Sequence, residues 1–142
     1  MQISLIAADP QEEYKGAGYC AECHIPQMSD WYESAHTKGY SNPEFQRVWN
    51  ELGSKSECLE CHTTGYDTTT KTYELVEVQC EECHGTKFNH VRAQNLKNVT
   101  SELQKNKSPK TEKNLSTICR KCHTQERDPE FNYEEYRKLI IH

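Results

Sequence analysis

Eight cysteines and four of the seven histidines in this 142-residue chain fall into one repeated five-residue pattern. Each copy reads Cys-x-x-Cys-His, and we number the copies motif 1 to motif 4: Cys20-Ala-Glu-Cys23-His24, Cys58-Leu-Glu-Cys61-His62, Cys80-Glu-Glu-Cys83-His84 and Cys119-Arg-Lys-Cys122-His123. Two thiols at this spacing can form thioethers to the two vinyl groups of one porphyrin, and the adjacent imidazole then lies where it can ligate the iron. The pattern predicts four covalently attached haems c, with one iron ligand from the histidine of each motif.

Two other chemistries use paired cysteines. Thiolates from two pairs can hold a structural zinc ion, and pairs of thiols can form disulfides in exported chains. Neither chemistry requires a histidine directly after the second cysteine, whereas all four motifs have one. We therefore favour haem attachment and keep zinc and disulfides as the alternatives.

The composition is poor in apolar residues. They make up 34% of the chain, against about 45–50% (glycine included) in an ordinary globular domain, and the mean hydropathy is −1.00. Such a chain cannot offset the conformational entropy of folding through its side chains alone. Porphyrins would supply the missing apolar mass, as disulfides or metals do in other chains with small cores. We expect the chain without haem to be largely unfolded.

The histidines outside the motifs are His36, His90 and His142. Each could be an ordinary surface or core histidine, but haem iron prefers imidazole as its second axial ligand. We expect all three to ligate iron, which leaves one of four irons without a second histidine from this chain. Met1 is terminal and Met28 lies close in sequence to His24, so neither is favoured as the substitute.

Hydrophobic spacing and helix-stop signals predict a mainly α fold. We expect short helices and long loops wrapped around four closely packed haems, as in a compact multihaem c-type cytochrome. Residues 1–18 would be an N-terminal tail or leader stub, and residues 19–142 a single tetrahaem domain. The expected elements are helices over 26–36, 43–52 and 115–123, a loop or short hairpin over 63–78, and a final helix capped by Asp128-Pro129-Glu130.

The charge argues against nucleic-acid binding, and the hydropathy argues against a membrane-spanning protein. The net charge of −5 and the pI near 5.8 do not favour nucleic acid, which requires a clustered positive surface. The longest aliphatic run, residues 3–8, is far shorter than the roughly 20 residues that span a bilayer. We expect a periplasmic or extracellular protein, because haem attachment uses the free thiols of an exported chain.

The residues around the motifs resemble a known family, the tetrahaem cytochromes c-554 of nitrifying bacteria. Motif 1 followed by Trp31-Tyr-Glu-Ser34-Ala-His36 is similar to the first haem segment of that family. Motif 2 with Thr-Thr-Gly65-Tyr, and motif 3 between Val78-Gln and Gly85 with His90 downstream, resemble the second and third segments. Motif 4, followed by a glutamate and a proline, is similar to the fourth.

The resemblance implies three haems with two histidine ligands each and a second haem that is five-coordinate. His62 would then be the lone ligand of an open haem, which agrees with the lack of a spare histidine near it in sequence. His36 would reach across to another haem, and the haems would stack in close, nearly parallel pairs. Members of the family pass electrons from hydroxylamine oxidation towards the respiratory chain.

We therefore expect electron transfer between a redox protein donor and a redox protein acceptor, without substrate chemistry. One alternative is reduction or oxidation of nitric oxide, nitrite or hydroxylamine at an open haem, for which the sequence shows no assignable acid, base or cation. The other is self-assembly into a multihaem oligomer or extracellular filament, with the terminal His142 ligating a haem of the next subunit.

Overall fold

The computed structural model describes residues 14–86 and 112–140. His90, His142 and the tail before Tyr14 lie outside these residues. The described chain is mostly helical with one two-stranded sheet, as predicted. Its helices are α1 (Ala17–Cys20), α2 (Ile25–Glu33), α3 (Pro43–Glu51), α4 (Leu59–His62), α5 (Cys80–His84), α6 (Glu112–Cys119) and α7 (Tyr133–Tyr136); its strands are β1 (Thr63–Thr64) and β2 (Leu75–Val76). Short 3-10 helices cover Ala35–Lys38, Ser56–Cys58 and Arg137–Leu139.

The helix predicted over residues 26–36 is interrupted. α2 ends at Glu33, because Ser34 takes an extended conformation with a ψ of 157°. The Ser34 hydroxyl donates to the Trp31 carbonyl over 2.7 Å and replaces the next helical hydrogen bond. A separate 3-10 helix then carries His36, so the direction of this side chain is not set by α2.

The helix predicted over residues 43–52 is confirmed within one residue. α3 begins at Pro43, whose fixed φ suits the first helical position. The Asn42 side chain accepts hydrogen bonds from the backbone N–H groups of Glu44 and Phe45 at 2.8 and 3.3 Å. This cap satisfies two of the otherwise unpaired donors at the start of the helix.

The segment predicted as a loop or short hairpin is a hairpin. β1 and β2 pair antiparallel, with Thr63 opposite Val76 and Thr64 opposite Leu75. Both threonines are fully buried, and both hydroxyls are satisfied: Thr63 donates to the Leu59 carbonyl at 2.6 Å and Thr64 to the Glu77 carbonyl at 2.8 Å. The hairpin thus joins α4 to the segment that leads into α5.

A buried carboxylate holds the first and third motifs together. Glu81 in α5 is 3% exposed, and it accepts hydrogen bonds from the backbone N–H groups of Lys15 and Gly16 at 2.9–3.1 Å. Beside it, the Gln79 side chain accepts from the Ala17 N–H at 2.7 Å. These contacts fix the start of α1 against the start of α5.

The side chains form almost no apolar core. In the described part of the chain, the buried apolar residues are Ala17 and Leu59. Several large apolar side chains are instead exposed: Tyr19, Ile25, Tyr32, Val48, Leu52, Val76, Tyr136 and Leu139. The polypeptide therefore leaves apolar surface uncovered, as its composition predicts. Among the described residues, no helix is long and apolar enough to span a membrane.

Two predictions for the C-terminal part need correction. The helix expected over residues 115–123 is α6, which ends at Cys119. The expected cap Asp128-Pro129-Glu130 is wrong, because Asn132 caps α7 by accepting from the N–H groups of Glu134 and Glu135. Asp128 instead contacts His123.

Gly65 is the glycine whose replacement we expect to be most destabilising. It has a φ of +71°, and a Cβ added there would lie 2.8 Å from Tyr14 Cζ. Gly53 is a matched control, because its φ is +80° but a Cβ would meet nothing within 4 Å. We expect Gly53→Ala to cost about 1 kcal/mol through its φ alone, and Gly65→Ala to cost about 1–3 kcal/mol more through overpacking. Urea unfolding of the haem-loaded variants measures the difference, and equal costs would contradict the close Tyr14 contact.

Candidate functional site

Each motif lies on a short helical segment that brings its second cysteine and its histidine into one turn. The backbone N–H of His24 donates to the Cys20 carbonyl at 2.9 Å, and that of His123 donates to the Cys119 carbonyl at the same distance. Motif 2 forms α4 with the preceding 3-10 turn, and motif 3 forms α5. None of the eight cysteines is fully buried.

The fold brings the motifs together in two pairs. The Cys20 and Cys80 thiols share a hydrogen bond, which lowers the pKa of Cys80 to about 7 and raises the pKa of Cys20. The Cys61 and Cys122 thiols share another, which lowers the pKa of Cys61 to about 7 and raises that of Cys122. In each pair, one S–H stabilises the thiolate form of its neighbour. Motif 1 therefore lies beside motif 3, and motif 2 beside motif 4.

His62 is held by its Nδ1 atom. Nδ1 contacts the backbone carbonyl of Gly39, an oxygen that can only accept, so Nδ1 carries the proton. Phe45 stacks on the imidazole with ring centroids 3.7 Å apart and planes 11° apart. Burial lowers the pKa of His62, which favours the neutral ring. Its Nε2 lone pair is then available to a metal.

His123 is held in a similar way by a carboxylate. Its Nδ1 lies 2.7 Å from Asp128 Oδ2, and Phe131 stacks on the ring with centroids 4.4 Å apart. A metal-ligating histidine usually donates its second ring N–H to a carboxylate or a backbone carbonyl. His62 and His123 each have one of these two partners.

The structure places His36 beside His123. Their ring centroids are 6.2 Å apart, and burial followed by the proximity of His123 lowers the pKa of His36. Two imidazoles on opposite sides of one metal, each bonded at about 2 Å, have centroids roughly 6–6.5 Å apart. The separation of the His36 and His123 ring centroids lies within this range.

The other predicted ligands are less enclosed. His24 is exposed at the start of α2, and His84 is exposed at the end of α5, where Gly85 follows with a φ of 70°. His90 and His142 lie outside the described residues, so their predicted roles stay predictions.

Sequence reasoning did not assign five residues that contact the motif histidines and cysteines. Gly39 and Phe45 contact His62, Asp128 and Phe131 contact His123, and Arg127 Nη1 lies 3.9 Å from Cys61 Sγ. The position of Asp128, an acidic residue five positions after a motif histidine, could have indicated its contact with His123. Contacts between segments distant in sequence, such as Gly39 with His62, leave no comparable pattern.

The residues present fit haem c. Burial lowers the pKa of His36 and of His62, which favours the neutral, metal-binding ring. In His62 and His123 the hydrogen-bonded ring nitrogen is Nδ1, which leaves Nε2 available to a metal. The exposed apolar side chains offer surface that a bound porphyrin would cover. In the described chain, which includes all eight cysteines, no group of three or more His, Cys, Asp or Glu side chains converges as a metal site.

Comparison with known proteins agrees with this chemistry. Residues 19–85 match the family model of cytochrome c554 and c-prime, a segment that contains motifs 1 to 3 and His36. The family resemblance predicted from the sequence is thereby confirmed, and it supports covalently bound haem c and electron transfer in general. No curated protein and no solved structure matches the chain.

Proposed function

We propose that this chain, which belongs through residues 19–85 to the cytochrome c554 and c-prime family, is a tetrahaem electron carrier. It would pass single electrons between a donor and an acceptor protein and catalyse no substrate chemistry. The observation that carries the proposal is the pairing of the motifs. Glu81 of motif 3 accepts hydrogen bonds from the N–H groups of Lys15 and Gly16 beside motif 1, and Arg127, which follows motif 4, contacts Cys61 of motif 2. This pairing would hold the cofactors close enough for direct electron exchange.

Each motif would hold one haem through its two cysteines, and its histidine would ligate the iron. The bound haem supplies an iron that alternates between ferric and ferrous states. The chain itself fixes the imidazoles: Gly39 and Asp128 hold the Nδ1 atoms of His62 and His123, so that both rings offer Nε2. Both contacts orient the ligand and increase its basicity.

The described histidines support part of the proposed ligand set. We assign His36 as the second ligand at motif 4, because its ring lies 6.2 Å from that of His123. His90 and His142 remain for motifs 1 and 3. The haem at motif 2 would then have His62 as its single histidine ligand and be five-coordinate or water-ligated in the monomer.

The proposed location is the periplasm or the exterior of the cell, where c-type haem is attached to exported chains. The proposed partners are redox proteins. The two alternatives, a multihaem filament and small-molecule chemistry at an open haem, have less support than electron transfer. The filament depends on His142, which lies outside the described residues. Small-molecule chemistry needs a polar group aimed at the open iron position, and Arg127, the cation near motif 2, contacts the Cys61 sulfur.

A redox titration with coulometry tests the proposed function. We expect the purified protein to take up four electrons per chain and to return them to a separate one-electron carrier protein. We expect nitrite, nitric oxide and hydroxylamine to be turned over no faster than by a haem peptide cut from the same chain. Fewer than four electrons, or turnover well above the peptide, would contradict the proposal.

A further inference from the structure

Two adjacent residues of opposite charge contact two different motifs. Arg127 lies against Cys61 of motif 2, and Asp128 lies against His123 of motif 4. A tight turn fixes both, because the N–H groups of Arg127 and Asp128 donate to the Thr124 carbonyl at 3.2 and 2.8 Å. The turn therefore places a cation at one motif and an anion at its neighbour.

The Asp128 carboxylate acts through the iron ligand. Its Oδ2 accepts the Nδ1 proton of His123 over 2.7 Å, and both side chains are only 28% exposed. A carboxylate in this position increases the electron density of the imidazole. A more basic ligand and a nearby negative charge both favour ferric over ferrous iron, so the contact lowers the reduction potential at motif 4.

The Arg127 guanidinium acts on the neighbouring motif. The guanidinium is a planar cation. Its Nη1 lies 3.9 Å from the Sγ atom of Cys61, the residue directly before the His62 that would ligate the iron. A fixed positive charge favours the state with one more electron and raises the reduction potential there.

We propose that the Arg127–Asp128 turn sets the reduction potential of the haem at motif 2 above that of the haem at motif 4 and directs electrons from motif 4 to motif 2. The inference rests on the proposed function. In the step, one electron leaves ferrous iron at motif 4, which becomes ferric, and reduces ferric iron at motif 2 to ferrous. No bond breaks and no proton moves. The open position at motif 2 would then be the preferred site of the electron.

One other charge acts on both motifs alike. The carboxylate of Glu82 in motif 3 acts on both Cys61 and Cys122. It accepts a hydrogen bond from the backbone N–H of Gly65 at 3.2 Å. Because it acts on motifs 2 and 4 alike, Glu82 shifts both reduction potentials in the same direction and contributes little to their difference.

Other charges oppose the proposed difference. Glu60 belongs to motif 2, Glu77 acts on His62, and the guanidinium of Arg120 in motif 4 lies 5.8 Å from the Phe131 ring, which covers His123. Glu60 and Arg127 are both exposed, so solvent and salt screen both charges, and the effect of Arg127 depends on its 3.9 Å contact with the Cys61 sulfur. Glu77 is bound by the backbone N–H groups of Tyr40 and Ser41, which offset part of its charge.

Two substitutions that remove charge but keep shape test the proposal. We expect Asp128→Asn to raise the potential at motif 4 and Arg127→Gln to lower the potential at motif 2. Each should reduce the equilibrium constant for moving an electron from motif 4 to motif 2 by about three- to tenfold; tenfold corresponds to about 59 mV for one electron. Asp128→Glu and Arg127→Lys keep the charge and should retain most of the wild-type difference. Redox titration followed by electron paramagnetic resonance identifies the haem at motif 2 by its high-spin signal. The haem at motif 4 is the low-spin signal that His36→Ala converts to high-spin.

The possible failures are distinguishable. Four bound haems with unchanged potentials in both charge-removing variants would overturn the inference and leave the proposed function intact. Equal shifts at both motifs would also overturn it, because the effect would then be a general change of charge. A mass showing fewer than four haems in the wild-type protein would instead contradict the proposed function. Arg127→Gln changes an exposed side chain, so it remains informative if Asp128→Asn lowers the yield of folded protein.

Discussion

Without attached haem, the chain is expected to lose its cooperative fold. Replacing all eight motif cysteines by alanine should abolish the sigmoidal urea unfolding transition and most of the helical circular dichroism. The reason is that Ala17 and Leu59 are the buried apolar residues of the described chain, while ordering the backbone costs about 1–2 kcal/mol per residue. Circular dichroism and urea titration of the wild-type and cysteine-free proteins measure the effect.

Glu57→Gln is the control for protein preparation and for a change of surface charge. Glu57 is exposed, with a 3.9 Å contact to Lys71 as its ion pair, so this variant should load haem and unfold as the wild type does. A cysteine-free chain that kept the wild-type dichroism and a cooperative transition would show that the polypeptide supports its own fold. The assignment of porphyrin as the missing apolar mass would then be wrong.

Replacing His36 is expected to convert one low-spin iron into a high-spin iron. His36→Ala would remove the imidazole whose ring lies 6.2 Å from His123, leaving the iron at motif 4 with one histidine ligand. Two strong-field imidazoles keep iron low-spin, and loss of one opens a position for water or carbon monoxide. Electron paramagnetic resonance should show two high-spin irons in the variant against one in the wild type, and carbon monoxide binding should double.

Lys38→Ala is a control on the same 3-10 helix, since Lys38 is exposed and should leave the spin count unchanged. His62→Ala should abolish the carbon monoxide binding of the wild-type monomer, because His62 holds the open haem. Four low-spin irons in the wild-type monomer, or no new high-spin signal in His36→Ala, would refute the ligand assignment. Four low-spin irons only in an assembled form would mean that a neighbouring chain supplies the missing histidine.

Local signals in the sequence were sufficient for several elements. Pro43 at an early helical position, apolar residues at helical spacing and Gly53 as the stop predict α3 within one residue. Turn residues among β-branched ones predict a loop or short hairpin, and the structure has the hairpin of β1 and β2. The four motifs and the spare histidines are legible because haem attachment fixes residue types at short, constant spacing.

What the sequence did not show depends on contacts between distant segments. Asp128 has the sequence context of a helix cap, yet its carboxylate binds His123 and Asn132 takes the capping position. The extended Ser34 divides a segment whose periodicity is helical throughout, and no local signal predicts the contact of His36 with His123. The hydrogen bond from the Gly16 N–H to the Glu81 carboxylate joins residues 65 positions apart along the chain. Tertiary packing decides these features, and propensity gives only a weak preference.

The mass of the denatured, exported protein distinguishes covalent haem from the other ligands, because thioether-linked haem survives denaturation while zinc and non-covalent ligands are lost. We expect a mass that exceeds the polypeptide by four haems, and a proteolytic digest in which each motif peptide carries one haem. A mass equal to that of the bare polypeptide, or to the polypeptide with disulfides, would contradict this expectation.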